Sequence, residues 1–107
     1  MIRLRRPRKG TIIRGAYSRK DFMTGNRCYC ATGFLMQRLG IATIKKLQDT
    51  TGLMPGLESG LAMRLGINVM EIVKLRNDND RIPWNGIADP RDTLIQFVKD
   101  QPGMEWA

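Results

Sequence analysis

Residues 27–41 read RCYCATGFLMQRLGI, and within these fifteen positions the hydrophobic period changes from two to 3.6. Arg27-Cys28-Tyr29-Cys30 has strand character, and a two-residue period places both cysteines on one face. From about Ala31 to Leu39 the period is helical: Phe34, Leu35, Met36 and Leu39 make a broad apolar face, with Thr32 near the start. Gly33 falls where the helix must pack closely. Gly40 supplies the left-handed C′ conformation that stops the helix, and Ile41 the hydrophobic contact that accompanies such a stop. A strand that runs straight into a buried helix predicts an α+β fold.

Toward the N-terminus, Thr11-Ile12-Ile13-Arg14-Gly15-Ala16-Tyr17 is β-branched and aromatic, Ser18 to Asp21 and Thr24-Gly25-Asn26 are turns, and the stretch predicts a small N-terminal antiparallel sheet. Toward the C-terminus, residues 45–51 predict a short amphipathic turn and 52–56 a loop. A helix over 57–65 then ends on Arg64-Leu65-Gly66-Ile67, the same four residues as Arg38-Leu39-Gly40-Ile41. Two copies of four residues express shared capping chemistry and do not make a repeat architecture. Asn68-Val69-Met70-Glu71 is a capping box that opens a helix carrying Ile72, Val73 and Leu75, expected to run out into a polar loop at Asn77-Asp78-Asn79-Asp80. Asp89-Pro90-Arg91-Asp92 sets an N-cap, a proline at the first helical position and an acid in the first turn. The last helix, 89–99, turns Leu94, Ile95, Phe97 and Val98 inward. The expected organisation is a basic arm (1–10), either mobile or a loosely attached first segment, one α+β domain (11–100) whose sheet packs on three or four short helices, and a flexible tail (101–107).

A chain of 107 residues holds one core of modest size. No apolar run approaches the roughly 20 residues of a membrane helix. The basic start MIRLRRPRKG is not followed by the apolar segment of a secretory signal, so a cytoplasmic location is expected. Cysteines one residue apart would close a strained ring, and both are expected to be free thiols.

The net charge of +8 is segregated. Arg3, Arg5, Arg6, Arg8, Lys9, Arg14, Arg19 and Lys20 stand in the first 20 residues without one acid, while the other 87 hold ten basic and ten acidic residues. Such a segment follows a phosphate backbone: neutralising about five phosphates gives a slope of log K against log salt near −4.5 on duplex DNA. It carries no base specificity of its own. The same charge suits an acidic protein surface or a solubilising tail.

Cys30 at a helix entrance invites a cysteine-hydrolase reading of the papain type, in which the helix dipole favours the thiolate. That chemistry needs a base to take and return the thiol proton, and the chain contains no histidine. A small buried residue at the junction of strand and helix is the preferred assignment. Cys-x-Cys supplies two thiolates where a structural zinc site takes four ligands, so no metal or cofactor is expected. A calcium loop starting at Asp78 would want an oxygen ligand at 82, glycine at 83 and glutamate at 89, where the chain has Ile82, Pro83 and Asp89. Asn77, Asp78 and Asp80, with Trp84 as an aromatic anchor, are candidates for contact with a partner.

The order of motifs over residues 10–99 resembles a group of small bacteriophage proteins: Cys28 to Leu35 against their Cys-Cys-Leu-Gly-Val-Leu, then Met54-Pro55, Leu65-Gly66-Ile67, Asn77-Asp78, Trp84, Ile87-Ala88 and the helix through Phe97. This chain departs at the cysteines, where Tyr29 separates the pair and Thr32 lengthens the link to Gly33. The resemblance implies a phage-encoded accessory protein acting in the host cytoplasm and carries no activity with it. The first functional expectation is therefore a non-enzymatic protein that binds nucleic acid through residues 3–20. The second is a protein-binding inhibitor or modulator of host machinery, in defence or transcription, that uses residues 77–80 and Trp84. An enzyme built on Cys30 comes third.

Overall fold

At Cys30 the backbone leaves the extended region (φ −72°, ψ 171°) and the next residue is helical. The computed structural model describes residues 1–13, 17–20, 23, 25–49, 55–81 and 89–107. In chain order its elements are β1 (Ile2–Leu4), β2 (Arg19–Lys20), β3 (Arg27–Cys28), α1 (Ala31–Arg38), α2 (Ile44–Asp49), α3 (Pro55–Leu65), α4 (Val69–Asp80), α5 (Arg91–Asp100) and β4 (Met104–Trp106). The class is mixed helix and sheet. Among the described residues no helix is long and apolar enough to cross a membrane.

Helix α1 is the centre of the molecule. Ala31, Thr32, Gly33, Phe34, Leu35 and Met36 are all buried, so its first turns are covered on every side rather than along one stripe. Eight residues are too few to hold a helix in water; burial holds this one, at about 1.5–3 kcal/mol for each large apolar side chain. Gly33 is required by the backbone just ahead of β2: a Cβ there would lie 2.0 Å from the Tyr17 carbonyl oxygen. Tyr29 packs edge-on against Phe34, ring centroids 6.3 Å apart, which binds the strand before the helix to the helix itself. Leu61 of α3, Ile72 and Leu75 of α4, and Leu94 and Val98 of α5 complete the core around α1.

The two Arg-Leu-Gly-Ile segments end α1 and α3 in the same way. Ile41 N–H donates to Met36 O at 2.9 Å and Gly40 N–H to Gln37 O at 3.3 Å; Ile67 N–H donates to Ala62 O at 3.1 Å and Gly66 N–H to Met63 O at 3.2 Å. With φ of +73° at Gly40 and +69° at Gly66, both are Schellman motifs. Asn68 caps α4 as expected, its Oδ1 accepting from Met70 N–H at 2.8 Å. Asp89 caps α5, its Oδ1 accepting from Arg91 N–H at 3.0 Å, with Pro90 already in the helical region (φ −58°, ψ −20°).

The sheet differs from expectation. Among the described residues, antiparallel pairing is confined to β2 and β3, with Arg19 opposite Cys28 and Lys20 opposite Arg27. Ile12 instead bridges Tyr29 in parallel, through Tyr29 N–H to Thr11 O and Ile13 N–H to Tyr29 O, each 2.8 Å. A second sheet joins the two ends of the chain: β1 and β4 pair in parallel, Ile2 with Met104, Arg3 with Glu105 and Leu4 with Trp106. Within the segments expected as a basic arm and a flexible tail, residues 2–4 and 104–106 are thus paired with one another. Leu4 and Met104 are buried, and Trp106 Nε1 donates to Ile95 O of α5 at 3.1 Å. These apolar residues alternate with Arg3 and Glu105, and the alternation lets each strand keep one side on the core and a charge in water.

Helix α4 also runs further than expected. Asn77 to Asp80 form its last turn, with Arg81 as C-cap. Short polar residues are poor helix formers because they compete for backbone hydrogen bonds. Here Asn79 is fully buried and its Nδ2 donates to Ile13 O at 2.9 Å, a bond across 66 positions that fixes this turn against the chain before the sheet.

Candidate nucleic-acid interface

The arm presents its cations from a fixed backbone. Leu4 and Pro7 are buried while Arg5, Arg6, Arg8 and Lys9 are exposed, so the apolar residues act as pegs and the charged ones form a ridge between and beyond them. β4 holds the start of the ridge. Its middle is held by Arg91, whose Nη1 donates to Pro7 O at 3.3 Å. The same guanidinium clasps Asp89, with Nε at 3.1 and 3.0 Å from the two carboxylate oxygens and Nη2 at 2.7 Å from Oδ2. This clasp, together with the Arg91 backbone N–H, holds the Asp89 carboxyl below its ordinary pKa, with a smaller contribution from nearby Lys9. It also raises that of Arg91. Asp89 therefore does two things: it caps α5 and aims Arg91 at the arm.

Arg3 stands apart from the other cations, paired with Glu105 at 2.9 Å on the surface. Arg19 and Lys20 are exposed on β2. Cys28 links them to the arm: its backbone is in register with Arg19 and its Sγ donates to Gly10 O at 3.5 Å. Arg14 and Trp84 lie outside the described residues. Tyr17, beside the cationic segment in sequence, is buried, and its hydroxyl donates to Glu58 Oε1 at 2.9 Å.

Cys30 is the N-cap of α1. Its Sγ accepts from Gly33 N–H at 3.4 Å and shares a 3.2 Å hydrogen bond with the Thr32 hydroxyl. Burial pushes the Cys30 thiol up from its ordinary value, against the smaller opposing effect of those hydrogen bonds. Burial therefore favours the neutral thiol over the thiolate at this position.

The partner residues expected on a loop sit on a helix. Asp78 pairs with Lys74 one turn earlier at 3.5 Å, Asn77 is half-buried and Asp80 is exposed. Residues 71, 74, 75 and 78 of α4 instead form one wall of an open groove of about 750 Å³ against Phe97 and Asp100 of α5.

Sequence reasoning missed the buried network behind this surface. Glu58 accepts from Arg76 as well as from Tyr17, with its side chain 3% and that of Arg76 14% exposed. A signal was present: Glu58 stands three and four positions before the core residues Leu61 and Ala62, and Asn79 seven and four after Ile72 and Leu75, so both fall on the buried stripes. Polar groups on such stripes demand partners.

No protein-family model, curated protein or solved structure matches this chain.

Proposed function

We propose that this is a phage-type accessory protein that binds nucleic acid through the cationic ridge of its N-terminal arm. The observation that carries the reading is that Arg5, Arg6, Arg8 and Lys9 are exposed on a backbone pinned at Leu4 and Pro7. A fixed ridge meets a phosphate backbone without first losing the conformational freedom of a loose tail. Arg19 and Lys20 extend it through Cys28. The reading is tested with a generic duplex at two salt concentrations, comparing the intact chain with a variant in which Arg5, Arg6, Arg8 and Lys9 are all alanine. The expected slope of log K against log salt is near −4.5 for about five phosphates, falling by about 0.9 for each contact removed. Equal and salt-insensitive affinity in the two proteins overturns it.

A second reading, docking of a host protein segment, draws on the α4–α5 groove, where Glu71, Asp78 and Asp100 stand around Leu75 and Phe97. Carboxylates around an apolar floor suit a basic, partly apolar segment. If it holds, a partner captured from host lysate survives nuclease treatment and is released when the three acids are reversed to lysine.

A further inference from the structure

Helices α3 and α4 are joined by three residues, Gly66, Ile67 and Asn68, and each end of this connection is fixed by its own chemistry. Gly66 is left-handed and closes α3 by its Schellman bonds; Asn68 opens α4 by capping Met70. A turn of three or four residues containing glycine is the connection that αα-hairpins and helix-turn-helices share. The packing beneath it agrees. Ala62 of α3 and Ile72 and Leu75 of α4 are buried, Leu61 lies fully in the core, and Ile67 in the turn packs against it. Ala62 is a small buried residue of α3, and Glu58 with Arg76 ties the two helices together from the inside.

With Ile72, Leu75 and Asn79 turned inward, the opposite side of α4 carries Met70, Val73, Lys74, Asn77 and Arg81 at spacings of three and four, which place them on one stripe. Met70, Lys74 and Arg81 are exposed, and Val73 and Asn77 half-buried. Lys74 stands at the edge of this stripe, where it pairs with Asp78 at 3.5 Å and lines the α5 groove beside Glu71 and Asp78; Asp80 is exposed on the same helix. A helix presenting an amide, an ammonium and a guanidinium group next to apolar contacts has the donor and acceptor set that reads base edges: Asn to adenine, Lys or Arg to guanine, and a methyl-bearing side chain to thymine.

We propose that α3 and α4 form a helix-turn-helix in which α4 enters the major groove of B-form DNA, with Lys74 and Asn77 reading base edges. The proposal rests on the nucleic-acid reading above and deepens it, since the arm supplies backbone affinity and α4 supplies sequence preference. It also fixes the class of nucleic acid. The major groove of an RNA duplex is too deep and narrow for a helix to reach its bases, so the preferred ligand is duplex DNA.

The test selects bound duplexes from a random DNA pool with the full-length chain. Affinity is then measured for a selected duplex, a scrambled duplex and an RNA duplex of the selected sequence. Three proteins are compared: the intact chain, a Lys74→Ala/Asn77→Ala variant, and the variant with the four arm cations replaced by alanine. Circular dichroism checks that each is folded. The expected result is a recovered consensus, a preference for it over the scrambled duplex of about tenfold or more that the Lys74→Ala/Asn77→Ala variant loses, and no such preference on RNA. Salt-sensitive binding with no consensus, or a consensus bound equally well by the Lys74/Asn77 variant, overturns the helix-turn-helix and leaves the arm standing. A consensus bound with unchanged affinity and salt slope by the arm variant overturns the arm reading and leaves α4 standing. Absence of binding to any of the three duplexes at low salt overturns both.

Discussion

Two ion pairs separate the interior of this protein from its rim. Glu58 and Arg76 meet in the core between α3 and α4, nearly closed to water and joined by the Tyr17 hydroxyl. Arg3 and Glu105 meet across the β1–β4 sheet with side chains 70% and 44% exposed. The first pair was removed from water by folding, so each partner depends on the other. The second keeps its hydration and contributes little beyond alignment. The interior is therefore over-determined, and the rim is free to spend its charge on something outside the molecule.

The largest effect expected from breaking this contrast is at Arg76. Arg76→Ala leaves the Glu58 carboxylate buried beside a single hydroxyl donor and is expected to cost about 3–5 kcal/mol in urea unfolding. Gly33→Ala comes next. Its Cβ meets the Tyr17 carbonyl oxygen, which is backbone and can yield only by moving the segment ahead of β2, so a loss of about 1–3 kcal/mol is expected, with Gly33→Ser no better. Arg3→Ala, at the rim, is expected to change stability by less than about 1 kcal/mol. A loss at Arg3 as large as that at Arg76 would erase the distinction.

A pH series sharpens the same comparison. Cys30 has a raised pKa in the folded chain because it is buried, so the native state holds that proton more tightly than the unfolded one. The stabilisation is complete below the unfolded value near 9 and is lost as pH rises through the folded value. Native Cys30 is accordingly expected to resist alkylation at neutral pH until urea opens the core. The fall in unfolding midpoint in alkaline solution is expected to be shallower in Cys30→Ser. At the rim the sign is opposite: Asp89 has a lowered pKa through Arg91, so its contribution is present above the unfolded carboxyl value near 4 and is lost as pH falls through the folded value. Asp89→Asn is expected to remove that acid-side loss and to speed proteolysis between Arg5 and Lys9.

What the sequence made legible was governed by local rules. The strand-to-helix junction at Cys30, both Arg-Leu-Gly-Ile stops and the Asn68 and Asp89 caps all follow from residues within five positions of one another. What escaped depends on contacts across the chain. Asn77 to Asp80 look like a loop until Ile13 offers Asn79 a carbonyl, and Glu58 looks like a surface acid until Arg76 and Tyr17 close on it. The pairing of β1 with β4 is the extreme case. Three-residue strands carry too weak an alternation to announce a parallel partner at the other end of the chain. Of the candidate site, the identity of the cations was readable from their segregation, whereas the pegs that fix them were not.

The β1–β4 sheet also sets an order in time. Ile2 to Leu4 are synthesised about a hundred residues ahead of their partners, Met104 to Trp106. Contacts of such sequence separation close only after the intervening chain has collapsed, and on the ribosome only after residue 106 has emerged. The cationic ridge is thus made well before the partner that gives it its shape.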